Sequence, residues 1–205
     1  PYLNKIKEQI VKAVLEAREN LQEASINWFK GSCDLATNRD LKDSDSNKYI
    51  TGYNPEVEAD ETLVVGKVTR SEGTILGILV NYACHPTTLG WENELISPDY
   101  VGAMRETIEE QYPNALCLFL LGACGELAPA HQYTGDTDIA DLHGKKLGLS
   151  VLSIMHGLSQ NEELTFDKIQ ESGAPLAVWT VKKNKVHSKI LKSKMEQVPI
   201  KIKAD

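Results

Sequence analysis

Strand-like and helix-like apolar patterns alternate between residues 62 and 155, and their order limits the folds open to this chain. Two runs rich in β-branched residues, 62–69 and 74–83, are joined by the Gly-containing segment 70–73, which predicts a β-hairpin. A helical period follows, then the apolar run 116–121, then a second helical period. Strands and helices in this order predict an α/β fold, and the sheet should be mixed because hairpin strands are antiparallel.

Amphipathic helices are predicted to flank this sheet. The first has apolar residues at three- and four-residue steps, so one face should pack inward; these residues are Leu3, Ile6, Ile10, Val14, Ala17 and Leu21. The second begins with Ser97 as N-cap and Pro98 in the first helical position, and the third spans 137–155. The run 116–121 lacks polar alternation, which predicts cover on both faces, and the polar stretch 31–60 predicts a long loop.

The composition is that of a globular chain, and the charge distribution sets the predicted domain boundary. Hydrophobic residues make up 41% and charged residues 25% of the 205 residues. We predict a single α/β domain at 1–181, itself a fragment of a larger catalytic domain, followed by a truncated basic tail at 182–205. The tail holds eight lysines and two carboxylates and is expected to be solvated.

Charge and chain ends also bear on partners and location. The net charge of −7 argues against a nucleic-acid partner, which would require clustered Lys and Arg. No apolar run approaches the roughly 18 residues that a bilayer crossing needs, so we predict a soluble chain without a transmembrane segment. The start at Pro1 has no signal peptide and is expected to be a cut end, which leaves a cytoplasmic location slightly favoured and native targeting open. The oligomeric state stays open.

Three polar clusters, 81–88, 96–102 and 121–129, follow predicted strands or begin a predicted helix. Open α/β sheets bind ligands at strand ends, so we expect a site there. His85 precedes a proline that restricts its backbone, and a stiff imidazole suits metal ligation or proton transfer as well as a structural role. Asp99 near a helix start could act on a ligand or on the helix dipole.

The third cluster offers a turn and a thiol. Gly122 and Gly125 allow a tight turn whose N–H groups could hold an oxyanion, although a plain strand-to-helix turn needs the same residues. Cys124 could be a nucleophile with His85 as its base, or a buried inert thiol. Cys117 lies inside the apolar run and predicts a small buried hydrophobe.

Four segments in this order resemble the catalytic region of neutral/alkaline non-lysosomal ceramidases, over roughly residues 3–155. The segments are Asn38-Arg39, Asn81 to Thr87, Ser97 to Gly102, and Gly125-Glu126-Leu127-Ala128-Pro129. The resemblance implies a zinc-dependent amide hydrolase that cleaves the fatty acyl amide of ceramide. It places His85 on the zinc-binding histidine at a strand end and Arg39 on the arginine that lines the substrate pocket.

The predicted site follows from these clusters and from the resemblance. His85 is the predicted metal ligand, and Cys124 and Glu126 are the predicted catalytic residues. The predicted substrate-binding residues are Asn38, Arg39, Asn81, Thr87, Asp99 and Gly122. The family has a serine before the Gly-Asp-x-Ser-Pro motif, and the matching stretch 120–123 has no hydroxyl, so attack by zinc-activated water is expected.

The resemblance also implies further zinc ligands before and after this stretch, so His85 is the one expected ligand that this chain contains. We therefore expect the chain alone to be metal-free and inactive. A local substitute set is not favoured, because the spacing of Asp138 and His143 does not place them on one helical face. The expected substrate is small and amphipathic or N-acylated. Two alternatives stay open: a cysteine amidohydrolase that uses Cys124, and a non-catalytic binding module on the same scaffold.

Overall fold

A computed structural model describes residues 2–184 and 193–199 of the chain. The helices are α1 (Tyr2–Glu19), α2 (Tyr100–Gln111) and α3 (Thr137–Met155). The strands are β1 (Ser25–Ser32), β2 (Ala36–Asn38), β3 (Asp40–Lys42), β4 (Tyr49–Thr51), β5 (Thr62–Thr69), β6 (Ile75–Tyr82), β7 (Leu116–Leu121), β8 (Leu127–Pro129), β9 (Glu162–Glu171) and β10 (Pro175–Lys183). The chain divides into two compact units, Pro1–Gln160 and Asn161–Asp205.

The first unit is built on a four-stranded sheet in the order β1-β5-β6-β7. β1, β5 and β6 are antiparallel neighbours, and the short connection between β5 and β6 is the predicted hairpin, with Gly73 at φ 92°. β6 and β7 are parallel and are connected through α2. The α/β class with a mixed sheet is therefore confirmed, and β5, β7 and α3 have the bounds that the apolar patterns predicted.

The core lies between one face of this sheet and the helices α2 and α3. Val65 and Val80 pair across the centre of the sheet, and both are fully buried. Met104 and Ile108 of α2 and Leu147 of α3 are also fully buried. This packing orients the C-terminal end of β6 and the N-terminal end of α2, which carry the first two polar clusters.

The opposite face of the sheet is open within the described residues, so the prediction that 116–121 is covered on both faces is wrong. Leu116, Leu118 and Leu120 point to the open face and are 65%, 49% and 41% exposed. Cys117 points to the core and is 2% exposed, as predicted. An unbroken apolar run shows that both faces are apolar, but it does not show that both are packed.

Helix α1 is confirmed as a helix, but the prediction that one face packs inward is wrong. No residue of α1 is buried, and Ile10 and Val14 are 59% and 62% exposed. The three- and four-residue spacing creates an apolar face. Whether that face is covered depends on tertiary contacts, and the described residues supply none that bury it.

Two further predictions need correction in detail. The N-cap of α2 is Asp99, and the prediction of Ser97 is wrong. The Ser97 hydroxyl instead accepts a hydrogen bond from the Asp99 amide. The stretch 31–60, predicted as a loop, contains the short strands β2, β3 and β4. β2 pairs with β8 of the third polar cluster, so the stretch reaches the predicted site.

The second unit contains the antiparallel hairpin of β9 and β10. Phe166 and Trp179 meet edge to face across this hairpin, with ring centroids 6.0 Å apart. Residues 185–192 and 200–205 of the predicted basic tail lie outside the described residues, and the boundary at 181/182 stays a prediction. In the part of the chain that is described, no helix has the length and apolar character needed to cross a bilayer.

Candidate functional site

A turn formed by residues 125–127 brings Arg39 and His85 together. The backbone amide of Arg39 donates to the carbonyl oxygen of Glu126 at 2.8 Å, and its Nε donates to that of Gly125 at 3.0 Å. The backbone amide of His85 donates to the carbonyl oxygen of Leu127 at 2.8 Å. Three consecutive carbonyl groups therefore position the two side chains that the ceramidase resemblance picks out.

The His85 imidazole is half-buried and makes no hydrogen bond within the described residues. Partial burial, and then the charge of the neighbouring Arg39 guanidinium, lower the pKa of His85 below its usual value. A lowered pKa keeps the ring neutral near pH 7, with a nitrogen lone pair free to accept a proton or a metal ion. His85 thus has the accessibility that its predicted role requires.

Residues 84–89, here called the His85 segment, are held at both ends. The Tyr100 hydroxyl donates to the carbonyl oxygen of Cys84 at 2.5 Å, and both residues are fully buried. At the other end, the Leu89 amide donates to Asp99 Oδ2 at 2.8 Å. The first residues of α2 and its cap therefore fix the segment that carries His85.

The middle of the His85 segment is held from the other side. The Thr87 hydroxyl lies 2.9 Å from Gln132 Oε1, and Thr88 Oγ1 lies 3.0 Å from Nδ1 of His143. Thr88 is fully buried, and burial lowers the pKa of His143. Predicted substrate ligand Thr87 therefore has a protein partner already. Sequence reasoning missed the contributions of Gln132 and His143, since no local spacing links them to the segment.

The thiol groups near the turn are buried. Cys84 is fully buried and Cys124 is 6% exposed. Burial raises the pKa of Cys84 to about 12, so this group is a thiol at neutral pH. Within the described residues no hydrogen bond joins the Cys124 sulfur to the His85 imidazole. The roles of Cys124 as a nucleophile and of His85 as its base therefore stay a prediction.

The other predicted site residues have varied surroundings. The Gly122 amide donates to the carbonyl oxygen of Tyr82 at 3.0 Å, so that N–H is engaged in the fold. Asn38 is 7% exposed, and its Oδ1 accepts from the Asp40 amide. The Asn81 side chain donates to the Leu120 carbonyl oxygen at 2.9 Å. Glu126 is exposed and its carboxylate is accessible beside the turn.

The zinc ion that the ceramidase resemblance implies fits these residues only in part. His85 supplies one accessible nitrogen donor. Among the described residues, no group of three or more His, Cys, Asp or Glu side chains is placed to hold a metal ion. Zinc usually takes about three or four protein ligands, so the described residues alone do not form a zinc site.

Two solved structures share this fold. Neutral ceramidase from Pseudomonas aeruginosa matches 85% of the chain at 21% sequence identity with a TM-score of 0.59, and the match covers 31% of that chain. A ceramidase complexed with C2 matches 78% at 20% identity with a TM-score of 0.54, and the match covers 29% of its chain. No family model matches the sequence. The chain spans less than a third of the length of these ceramidases, and the predicted resemblance to them is confirmed at the level of the fold.

Proposed function

We propose that this chain is part of an amide hydrolase of the neutral ceramidase type, with an N-acylated substrate. The observation that carries the proposal is the accessible His85 imidazole, held beside Arg39 by the backbone of the 125–127 turn. The fold shared with neutral ceramidases supports it. The ceramidase complexed with C2 is the reason to test lipid-like N-acyl substrates first.

In this proposal His85 contributes one ligand to a zinc site that needs further ligands from outside the described residues. Zinc with an open coordination position would supply a Lewis acid for the amide carbonyl and lower the pKa of a bound water molecule. The lowered pKa of His85 suits this role, because only the neutral imidazole can donate a lone pair.

Arg39 and Glu126 would act on the substrate beside His85. Arg39 is fixed through Nε, and its terminal nitrogens make no hydrogen bond or ion pair within the described residues. A guanidinium with free donors can bind the acyl carbonyl oxygen or the carboxylate product. The exposed carboxylate of Glu126 is suited to take up or return a proton during amide cleavage.

Zinc titration of the full-length protein tests this proposal. We expect uptake of one zinc ion, weakened by at least about 100-fold in His85→Ala, because a direct ligand of the metal is lost and even the loss of an indirect partner costs about 10–100-fold. His156→Ala is the matched control, because His156 is an exposed histidine beyond the end of α3 and should leave zinc affinity unchanged.

Hydrolysis assays with an N-acylated sphingoid base and an N-acetylated amino sugar then separate substrate classes. Loss of hydrolysis in His85→Ala and a strong reduction in Arg39→Ala are expected. Zinc uptake that His85→Ala does not change would refute the assignment of His85. If the wild-type protein neither takes up zinc nor hydrolyses these substrates, a binding module on this scaffold is favoured.

A further inference from the structure

Asp99 is a buried residue, and each oxygen of its carboxylate accepts a hydrogen bond from a backbone amide. Its Oδ1 accepts from the Tyr100 amide at 2.7 Å, and its Oδ2 accepts from the Leu89 amide at 2.8 Å. The residue is only 8% exposed. Since the residue is buried and each oxygen already accepts from a different backbone amide, the carboxylate is poorly placed to bind a substrate.

The backbone of Asp99 is held in a conformation that residues with a side chain seldom adopt. Its φ is 56° and its ψ is −150°, and its amide donates to the Ser97 hydroxyl at 3.1 Å. Such a conformation costs about 1–3 kcal/mol and persists only where surrounding contacts enforce it. The contacts to Leu89 and Tyr100 are of this kind.

These contacts connect Asp99 to the candidate catalytic centre. Leu89 is the last residue of the His85 segment, and Asp99 binds its amide. Tyr100, the first residue of α2, binds the carbonyl oxygen of Cys84 at the beginning of the same segment. Residues 99 and 100 therefore hold both ends of the six residues that carry His85.

We propose that Asp99 is a positioning residue that fixes the His85 segment. In this proposal Asp99 does not have the substrate-binding role that the sequence predicts. The inference rests on the proposed function, in which His85 is the working side chain. Loss of the Asp99 contact would keep the His85 side chain but allow the backbone of the His85 segment to move relative to Arg39 and the 125–127 turn.

Asp99→Asn is the minimal test of this role. Asn is as good an N-cap as Asp and tolerates positive φ, so the start of α2 is retained. The amide has one oxygen in place of two, and its NH₂ group would face the Leu89 N–H donor. Asp136→Asn is the matched control, because Asp136 caps α3 through the Asp138 amide at 2.9 Å and has no hydrogen bond to the His85 segment.

Hydrogen exchange of the metal-free protein gives the first readout. The decisive amide is that of His85, whose acceptor at Leu127 is not touched by the substitution. We expect its exchange to accelerate by at least about tenfold in Asp99→Asn and to stay within about twofold of wild type in Asp136→Asn. Unchanged exchange at His85 in Asp99→Asn, with only the Leu89 amide released, would overturn the proposal.

Steady-state kinetics of the full-length protein on an N-acylated substrate give the second readout. A positioning role predicts a kcat at least about tenfold lower, with KM within about twofold of wild type, because the reacting geometry is lost and substrate contacts are kept. A raised KM with unchanged kcat would show that Asp99 is a substrate ligand after all. If the wild-type protein hydrolyses no N-acyl substrate, the proposed function fails, and the exchange experiment still decides whether Asp99 positions the segment.

Discussion

Substitution of Gly144 by Ala tests the packing that orients the site. Gly144 lies on α3 where it crosses α2, and a Cβ atom there would lie 2.3 Å from the carbonyl oxygen of Tyr100. It would also lie 2.7 Å from the Cβ of Ala103 and from the amide nitrogen of Met104. These three atoms cannot rotate away, because two belong to the backbone and the third is fixed directly to it. A methyl group at position 144 must therefore push the two helices apart.

Two opposing effects set the magnitude for Gly144→Ala. Ala is favoured over Gly in a helix interior by about 1 kcal/mol. Overpacking of a close-packed interior costs about 1–3 kcal/mol, and contact with backbone atoms places this substitution at the upper end. We expect a net loss of about 2 kcal/mol in the free energy of unfolding, which lowers the melting temperature by about 4–8 °C for a chain of this size.

Urea unfolding followed by far-ultraviolet circular dichroism measures this loss, since all three described helices belong to the first unit. Lys145→Ala, at an exposed neighbouring position, should change stability by no more than about 0.5 kcal/mol. Gly148→Ala places its methyl 2.8 Å from the Thr107 Cβ and should have an intermediate effect. A Gly144→Ala protein as stable as wild type, or more stable, would refute the close approach of α2 and α3.

Two further predictions concern thiol reactivity and pH. All four cysteines are buried, so we expect the native thiols to react slowly with an aromatic disulfide reagent near pH 7. In urea all four thiols should react. One fast-reacting thiol in the native protein would instead favour Cys124 as a nucleophile. Burial, and then the nearby His131, lower the pKa of His143 below its unfolded value of 6.5, although Asp99 acts in the opposite direction. As the pH falls through about 6.5, the unfolded state therefore binds more protons than the folded state, and the free energy of unfolding should decrease. The decrease should be less steep in His143→Asn. Urea unfolding over a pH series measures both.

The sequence predicts the elements of the first unit well and their surroundings poorly. The bounds of α3 and β7 are correct because strong apolar periods end at clear breakers, as at Pro113 before β7. The sequence also identifies the apolar faces of α1 and β7 correctly, but both faces are exposed within the described residues. Periodicity depends on one segment, whereas burial depends on which other segment covers it.

The candidate site shows the same division. His85 could be identified from sequence because it stands at a strand end before a proline. The surroundings of the His85 segment could not, since Arg39 and His143 are far from it in sequence and are brought near by the pairing of β2 with β8 and by the packing of α2 and α3. The N-cap role of Asp99 has a local signal, an Asp directly before a helix, which the prediction of Ser97 as N-cap overlooked.

The divergence of the third cluster from the ceramidase motif can be understood from the way the turn works. The turn holds Arg39 and His85 through the carbonyl oxygens of Gly125, Glu126 and Leu127, and every residue type carries that group. A change of side chain at these positions leaves the acceptors available, provided that the turn itself forms. The arrangement of the histidine and the arginine can therefore persist while the side chains of the motif change, and a different side chain at position 126 changes the chemistry offered to a substrate more than it changes the scaffold.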